Sequence, residues 1–158
     1  MQKEYTRIVG PMLREVRPLL LPHYGNVASV SYKTNSAVEA VTDLDVQVEE
    51  FVKERLRIVD SSIAFVGEEH GGDRTAERFW LMDPIDGTAH FVRGLPFCTT
   101  MLALIEEGEV TFSAIYDFVN DILYSAEKGK GAMMNGAPIH VSARPLKRAY
   151  LGYETHLQ

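Results

Sequence analysis

The chain is poor in the residue types that would give it an easy label. One cysteine in 158 residues excludes an internal disulfide and a cysteine-based zinc site. That cysteine, Cys98, lies in the strand-like run Phe97-Cys98-Thr99-Thr100-Met101 and reads as a small core residue rather than a nucleophile. Basic residues are outnumbered, 16 Lys and Arg against 22 Asp and Glu, for a net charge of −6. No basic cluster is present, so binding a nucleic-acid polymer is not its task. No apolar run approaches the roughly 20 residues of a membrane span. The charged start Met1-Gln2-Lys3-Glu4 lacks the apolar stretch of a signal peptide. A cytoplasmic protein without a membrane partner is expected. Repeats, low-complexity segments and clear linkers are missing too, which fits one domain over residues 1–158. No Ser/His/Asp or Cys/His set suggests nucleophilic catalysis, and His23, His90, His140 and His156 share no metal-site spacing.

What the chain does have is carboxylates at the ends of apolar runs. Phe79-Trp80-Leu81-Met82 predicts a buried strand that stops at Asp83, because Pro84 lacks an N–H and fixes φ. Asp86-Gly87 is a tight-turn pair, and Thr88 is placed to cap a short helix over Ala89–Val92. Upstream, Ile63-Ala64-Phe65-Val66 predicts a second short strand, closed by Gly67 before Glu68-Glu69-His70. If the two strands are neighbours, Glu68, Asp83 and Asp86 converge. Three carboxylates in a small volume repel unless a cation sits among them, and hard oxygen ligands suit Mg²⁺. The helix start after Gly87 offers N–H donors for an anion. The same letters are also compatible with a plain Asp-rich turn and solvated surface acids.

A longer helix is expected from Thr42, a good N-cap, with Asp43 and Asp45 in its first turn and Val41 stapling to Val46. Val48, Phe51, Val52 and Leu56 continue its apolar face. Asp45 is either a first-turn helix acid or, if the helix start faces the other carboxylates, a proton acceptor. Before it, residues 4–21 read as a helix with Ile8, Met12, Leu13, Val16, Leu19 and Leu20 inward, beginning or kinking near Pro11. After Pro96 the pattern is a meander of strands, Phe97–Ile105, Val110–Tyr116 and Ile122–Ala126, then Ile139–Val141 beyond the Asn135-Gly136 turn, with another beginning at Tyr150–Tyr153. The fold class is therefore α+β: two N-terminal helices packed on one face of a largely antiparallel sheet.

The motifs together resemble the inositol monophosphatase family of Mg²⁺-dependent, Li⁺-sensitive phosphatases. The likeness rests on Asp-Pro-Ile-Asp-Gly-Thr (Asp83–Thr88), Gly-Glu-Glu (Gly67–Glu69), Val-Thr-x-x-Asp (Val41–Asp45), Lys33 upstream and Gly-Lys-Gly-Ala-x-x-Asn-Gly (Gly129–Gly136). It implies the layered αβαβα sandwich of that family and hydrolysis of a small phosphorylated metabolite by a metal-activated water. By resemblance, Glu68, Asp83, Asp86 and the Ile85 carbonyl bind Mg²⁺, with Glu68 counted among the catalytic groups. Gly87 and Thr88 N–H groups hold phosphate, Asp45 and Thr88 activate water, and Lys33, Ile85 and Asp86 lie at the substrate. A homodimer is expected on the same ground. Two departures stand out: Ala89-His90-Phe91 stands where the family usually continues Thr-Asn-Phe after Gly-Thr, and the family's second α/β half, with its further metal-ligand Asp, has no counterpart here. This half-length chain is expected to turn over weakly or not at all.

Two rivals remain at this stage. A haloacid dehalogenase-type phosphatase also carries an acidic strand-end motif ending Asp-Gly-Thr, but its acids are two apart and the first is a nucleophile. Asp83 and Asp86 are three apart around Pro84. A non-catalytic half-domain that binds metal or a partner through uncovered apolar surface is the other. Within the phosphatase reading, inositol phosphates, fructose bisphosphate, histidinol phosphate and 3′-phosphonucleotides are all open.

Overall fold

Residues 5–27, 31–32, 40–41, 43–143, 145 and 147 are described by a computed structural model. Seven strands form one sheet in the order β3-β4-β5-β6-β7-β8-β9: Ala64–Val66, Arg78–Asp86, Thr99–Glu106, Glu109–Asp117, Ile122–Glu127, Gly131–Met134 and Ala137–Ile139. Every pairing is antiparallel except β3 with β4, which is parallel and sets Val66 beside Leu81. A separate pair, β1 (Ser31–Tyr32) with β2 (Ala40–Val41), precedes the long helix. The α+β expectation holds.

The tight turns of the meander follow their residues. Glu107-Gly108 and Asn135-Gly136 both take two successive positive φ values, 53° and 78°, and 48° and 81°. Those are the type I′ conformations whose twist suits a two-residue hairpin.

Helix α3 (Asp43–Val59) and helix α1 (Tyr5–Arg14) cover one face of the sheet. Val48, Val52 and Leu56 of α3, with Val9, Met12 and Leu13 of α1, pack in one cluster with Trp80, Met82, Leu102, Leu104, Phe112 and Tyr116. On the other face Val66, Phe79 and Ile105 form a small buried cluster, while Leu81 and Ile115 are 36% and 40% exposed. No helix among the described residues is long and apolar enough to cross a membrane.

Several local expectations need correction. The N-terminal helix does not begin at Pro11, which sits inside α1; the helix is interrupted at residues 15–16, ahead of α2 (Arg17–Leu20), where Pro18 occupies a first-turn position that needs no N–H. Ile8 and Leu19 face outward, and Val9 takes the core position instead. Val46 is also exposed. Pro84 does not end its strand: β4 runs on to Asp86 because a register shift between Asp83 and Asp86 absorbs the missing donor. The last short strand is Ala137–Ile139, and His140 and Val141 lie beyond it. The Thr42 cap, the Val41 side chain, Lys33 and the strand expected at Tyr150–Tyr153 lie outside the described residues.

Candidate active site

Parallel pairing of β3 and β4 brings their carboxyl ends to one edge, so Glu68, just past β3, meets Asp83 on β4. The two side chains share a hydrogen bond, and Asp86 and Asp45 add their fields to Asp83. Burial first, then these three neighbours, push the Asp83 carboxyl up to about 8. That shift favours the protonated carboxyl, which shares its hydrogen bond with Glu68. Asp83 Oδ1 is buried with no hydrogen-bond partner. An orphaned carboxylate oxygen among three other acids is the environment a cation relieves. Glu68 and Asp86 lie toward solvent while Asp83 is partly buried, which leaves the group open on one side. Among the described residues no three His, Cys, Asp or Glu side chains stand in ready-made coordinating geometry. The acids are gathered, and their mutual repulsion raises the Asp83 carboxyl. The donor type suits a hard divalent ion.

The bulge that carries these acids is braced from two sides. Thr100, wholly buried on β5, donates to the Pro84 carbonyl at 2.8 Å. The Thr88 hydroxyl lies 2.7 Å from the Ile85 carbonyl and 3.2 Å from Asp45 Oδ1. Thr88 is thus the first residue of helix α4 (Thr88–Val92) and not its cap; Gly87 is the N-cap, at φ 78°. The expectation of a capping Thr88 is corrected, because a left-handed Gly87 already turns the chain and frees the hydroxyl to face inward. Asp45 is 1% exposed, in the first turn of α3, so the helix start does face the acids.

Gly87 is required by space as well as by φ. A Cβ there would lie 2.3 Å from the Phe97 carbonyl oxygen. Gly87→Ala is expected to cost about 2–3 kcal/mol, combining left-handed strain with a backbone clash, and chemical denaturation will measure it. Loss below 1 kcal/mol would mean the turn tolerates a side chain.

Beside Glu68 and Asp83 a cleft of about 380 Å³ runs along the uncovered sheet face, lined by Arg74, Leu81, Met101 and Ile115 among others. Its size is that of a small-ligand site. Cys98 stays outside this chemistry: it is buried, and burial pushes its thiol up to about 12, so no thiolate is available.

Sequence reading overlooked one buried acid near the site. Glu49 of α3 is wholly buried and accepts from the N–H groups of Glu69 and His70 at 2.9 and 3.1 Å. Its signal was its place, four residues after Asp45 on a flank of the apolar stripe.

The family model described as the inositol monophosphatase family matches residues 1–158. A Thermotoga maritima protein named fructose-1,6-bisphosphatase/inositol-1-monophosphatase is 38% identical over 132 residues, 83% of this chain and 50% of its own length. The Xylella fastidiosa protein named Nus factor SuhB is 30% identical over 144 residues, 91% of this chain and 52% of its own. Among solved structures, the Thermotoga maritima IMPase superposes with a TM-score of 0.82 at 33% identity, covering 89% of this chain and 55% of that one. The chain spans about half the length of the relatives it matches.

Proposed function

The chain belongs to the inositol monophosphatase family, and on that premise we propose that it serves Mg²⁺-dependent hydrolysis of a small phosphomonoester by direct attack of water. The observation that carries this reading is the partly buried Asp83, with one oxygen lacking any hydrogen-bond partner, held among Glu68, Asp86 and Asp45. Glu68, Asp83, Asp86 and the Ile85 carbonyl are the groups that would hold Mg²⁺. When bound, the ion supplies Lewis-acid stabilisation of phosphate charge and a more acidic water.

The chain's own residues do the rest. The first N–H groups of α4, at Gly87 and Thr88, have no acceptor one turn earlier and suit a phosphate oxygen. The Thr88 hydroxyl, between the Ile85 carbonyl and Asp45, orients the attacking water, and Asp45 takes its proton. Asp45 is sequestered from bulk water, so a proton placed there does not exchange freely. The open cleft along Leu81, Met101 and Ile115 receives the alcohol part of the substrate. Lys33 is kept in this reading as a residue near the site. A homodimer and a cytoplasmic address belong to the same reading.

Binding and turnover test different parts of it. The purified chain is expected to bind Mn²⁺, used as a paramagnetic stand-in for Mg²⁺, and light scattering will give its mass. Phosphate release is read on the chain alone, where little is expected, and on a chimera joining it to the remaining half of the Thermotoga maritima relative. Mg²⁺-dependent, Li⁺-inhibited release by the chimera from one of the four phosphate classes supports the reading. An aspartyl-phosphate trapped on Asp83 would replace it with a nucleophilic mechanism.

A further inference from the structure

Helix α3 carries a second carboxylate that the hydrolysis scheme leaves idle. Glu49 lies one turn beyond Asp45, wholly buried. A charge in such a place is costly unless its oxygens are satisfied. Here Oε2 accepts from the Glu69 N–H at 2.9 Å, and Oε1 accepts from the His70 N–H at 3.1 Å. Nδ1 of His70 approaches the same Oε1 at 2.7 Å. On the other side of Glu68, a Cβ on Gly67 would fall 2.0 Å from Glu49 Cδ. The backbone on both sides of Glu68 is therefore moulded around one buried carboxylate.

We propose that Glu49 is a positioning residue: its carboxylate clamps the Gly67–His70 backbone and so fixes Glu68 against Asp83 for the divalent ion. Glu49 touches neither ion nor substrate. The claim rests on the metal-site reading of Glu68 and Asp83 given above. An apolar side chain would fill the same buried volume at lower desolvation cost, but it would leave the Glu69 and His70 N–H groups without their acceptor. One helix thereby sets two parts of the site. Its first turn places Asp45 by Thr88, and its second places the loop that bears Glu68.

The test is Glu49→Gln, which keeps the shape and replaces one acceptor oxygen with a donor that opposes a backbone N–H. Mn²⁺ affinity is read by electron paramagnetic resonance well below the melting temperature, alongside amide hydrogen exchange at Glu69 and His70 without metal. Groups that orient ligands typically contribute roughly 10–100-fold in metal affinity, and a loss of that size is expected, with faster exchange at both amides. A merely structural Glu49 would lower the melting temperature and leave the affinity of the folded chain where it was; that result overturns the proposal. If the wild-type chain binds no Mn²⁺, the metal reading fails by itself, and exchange decides the clamp: faster in Glu49→Gln upholds it, unchanged overturns it. Should Glu49→Gln fail to fold, His70→Ala removes one contact from an exposed ring. A smaller weakening in the same direction is then expected, and an unchanged Mn²⁺ affinity overturns the claim.

Discussion

Asp83→Asn is expected to abolish the response to Mg²⁺ and, without metal, to make the chain more stable above neutral pH. Asp83 has a carboxyl raised from 3.8 to about 8, by burial first and then by Glu68, Asp86 and Asp45. Between those two values the folded chain binds a proton that the unfolded chain has released. Unfolding free energy therefore falls as pH rises through that window, and this contribution is fully present only below about 4. Asparagine stays neutral throughout. The variant should melt increasingly above the wild type from pH 5 to pH 8.5. Mg²⁺ should close the gap for the wild type alone, since a ligand at 100 times its Kd adds about 2.7 kcal/mol. Thermal melts at the two pH values, with and without Mg²⁺, test both halves. An Asp83→Asn chain that still gains stability from Mg²⁺ would place the ion elsewhere.

That trade between stability and site is visible in part from the letters. Asp83–Thr88 and Gly67–Glu69 were legible because strand ends, Pro84 and Gly87 punctuate them locally, and the Asn135-Gly136 turn was legible for the same reason. Features decided by tertiary contact were not. Pro84 reads as a stop, yet β5 accommodates the bulge and Thr100 satisfies the Pro84 carbonyl across the sheet. Thr88 reads as a cap, yet its hydroxyl partners come from Ile85 and from Asp45, 43 residues away. Glu49 reads as one more charge beside an amphipathic stripe, because its partners lie 20 and 21 residues on, in a loop whose approach only the fold determines. Pairing β3 parallel to β4 is of the same kind: it puts Glu68 and Asp83 at one edge, and nothing in either strand's composition states its direction.

Asp45→Asn should separate chemistry from metal binding. Asp45 is buried and supplies no group to the proposed ion set; the contact shown is with the Thr88 hydroxyl at 3.2 Å. That hydroxyl has one proton, and both the Ile85 carbonyl and Asp45 compete for it. With the proton directed to either, its lone pairs remain available to a water. Asparagine can still accept from Thr88 through its amide oxygen, so the local structure survives, but it cannot take up a proton. The expected result in the chimera is a fall in kcat of roughly 10²–10⁴-fold, with a smaller loss of Mn²⁺ affinity in the 158-residue chain, since Asp45 is outside the ligand set and its charge reaches Asp83 only through space. Thr88→Val removes the hydroxyl with little change in volume and should give a loss of the same order. Because Asp45 and Thr88 act on one water as a unit, the double variant should be little worse than either single one. Multiplicative losses would mean that the two residues serve separate steps, and a loss of Mn²⁺ affinity matching the loss of turnover would move Asp45 into the metal site.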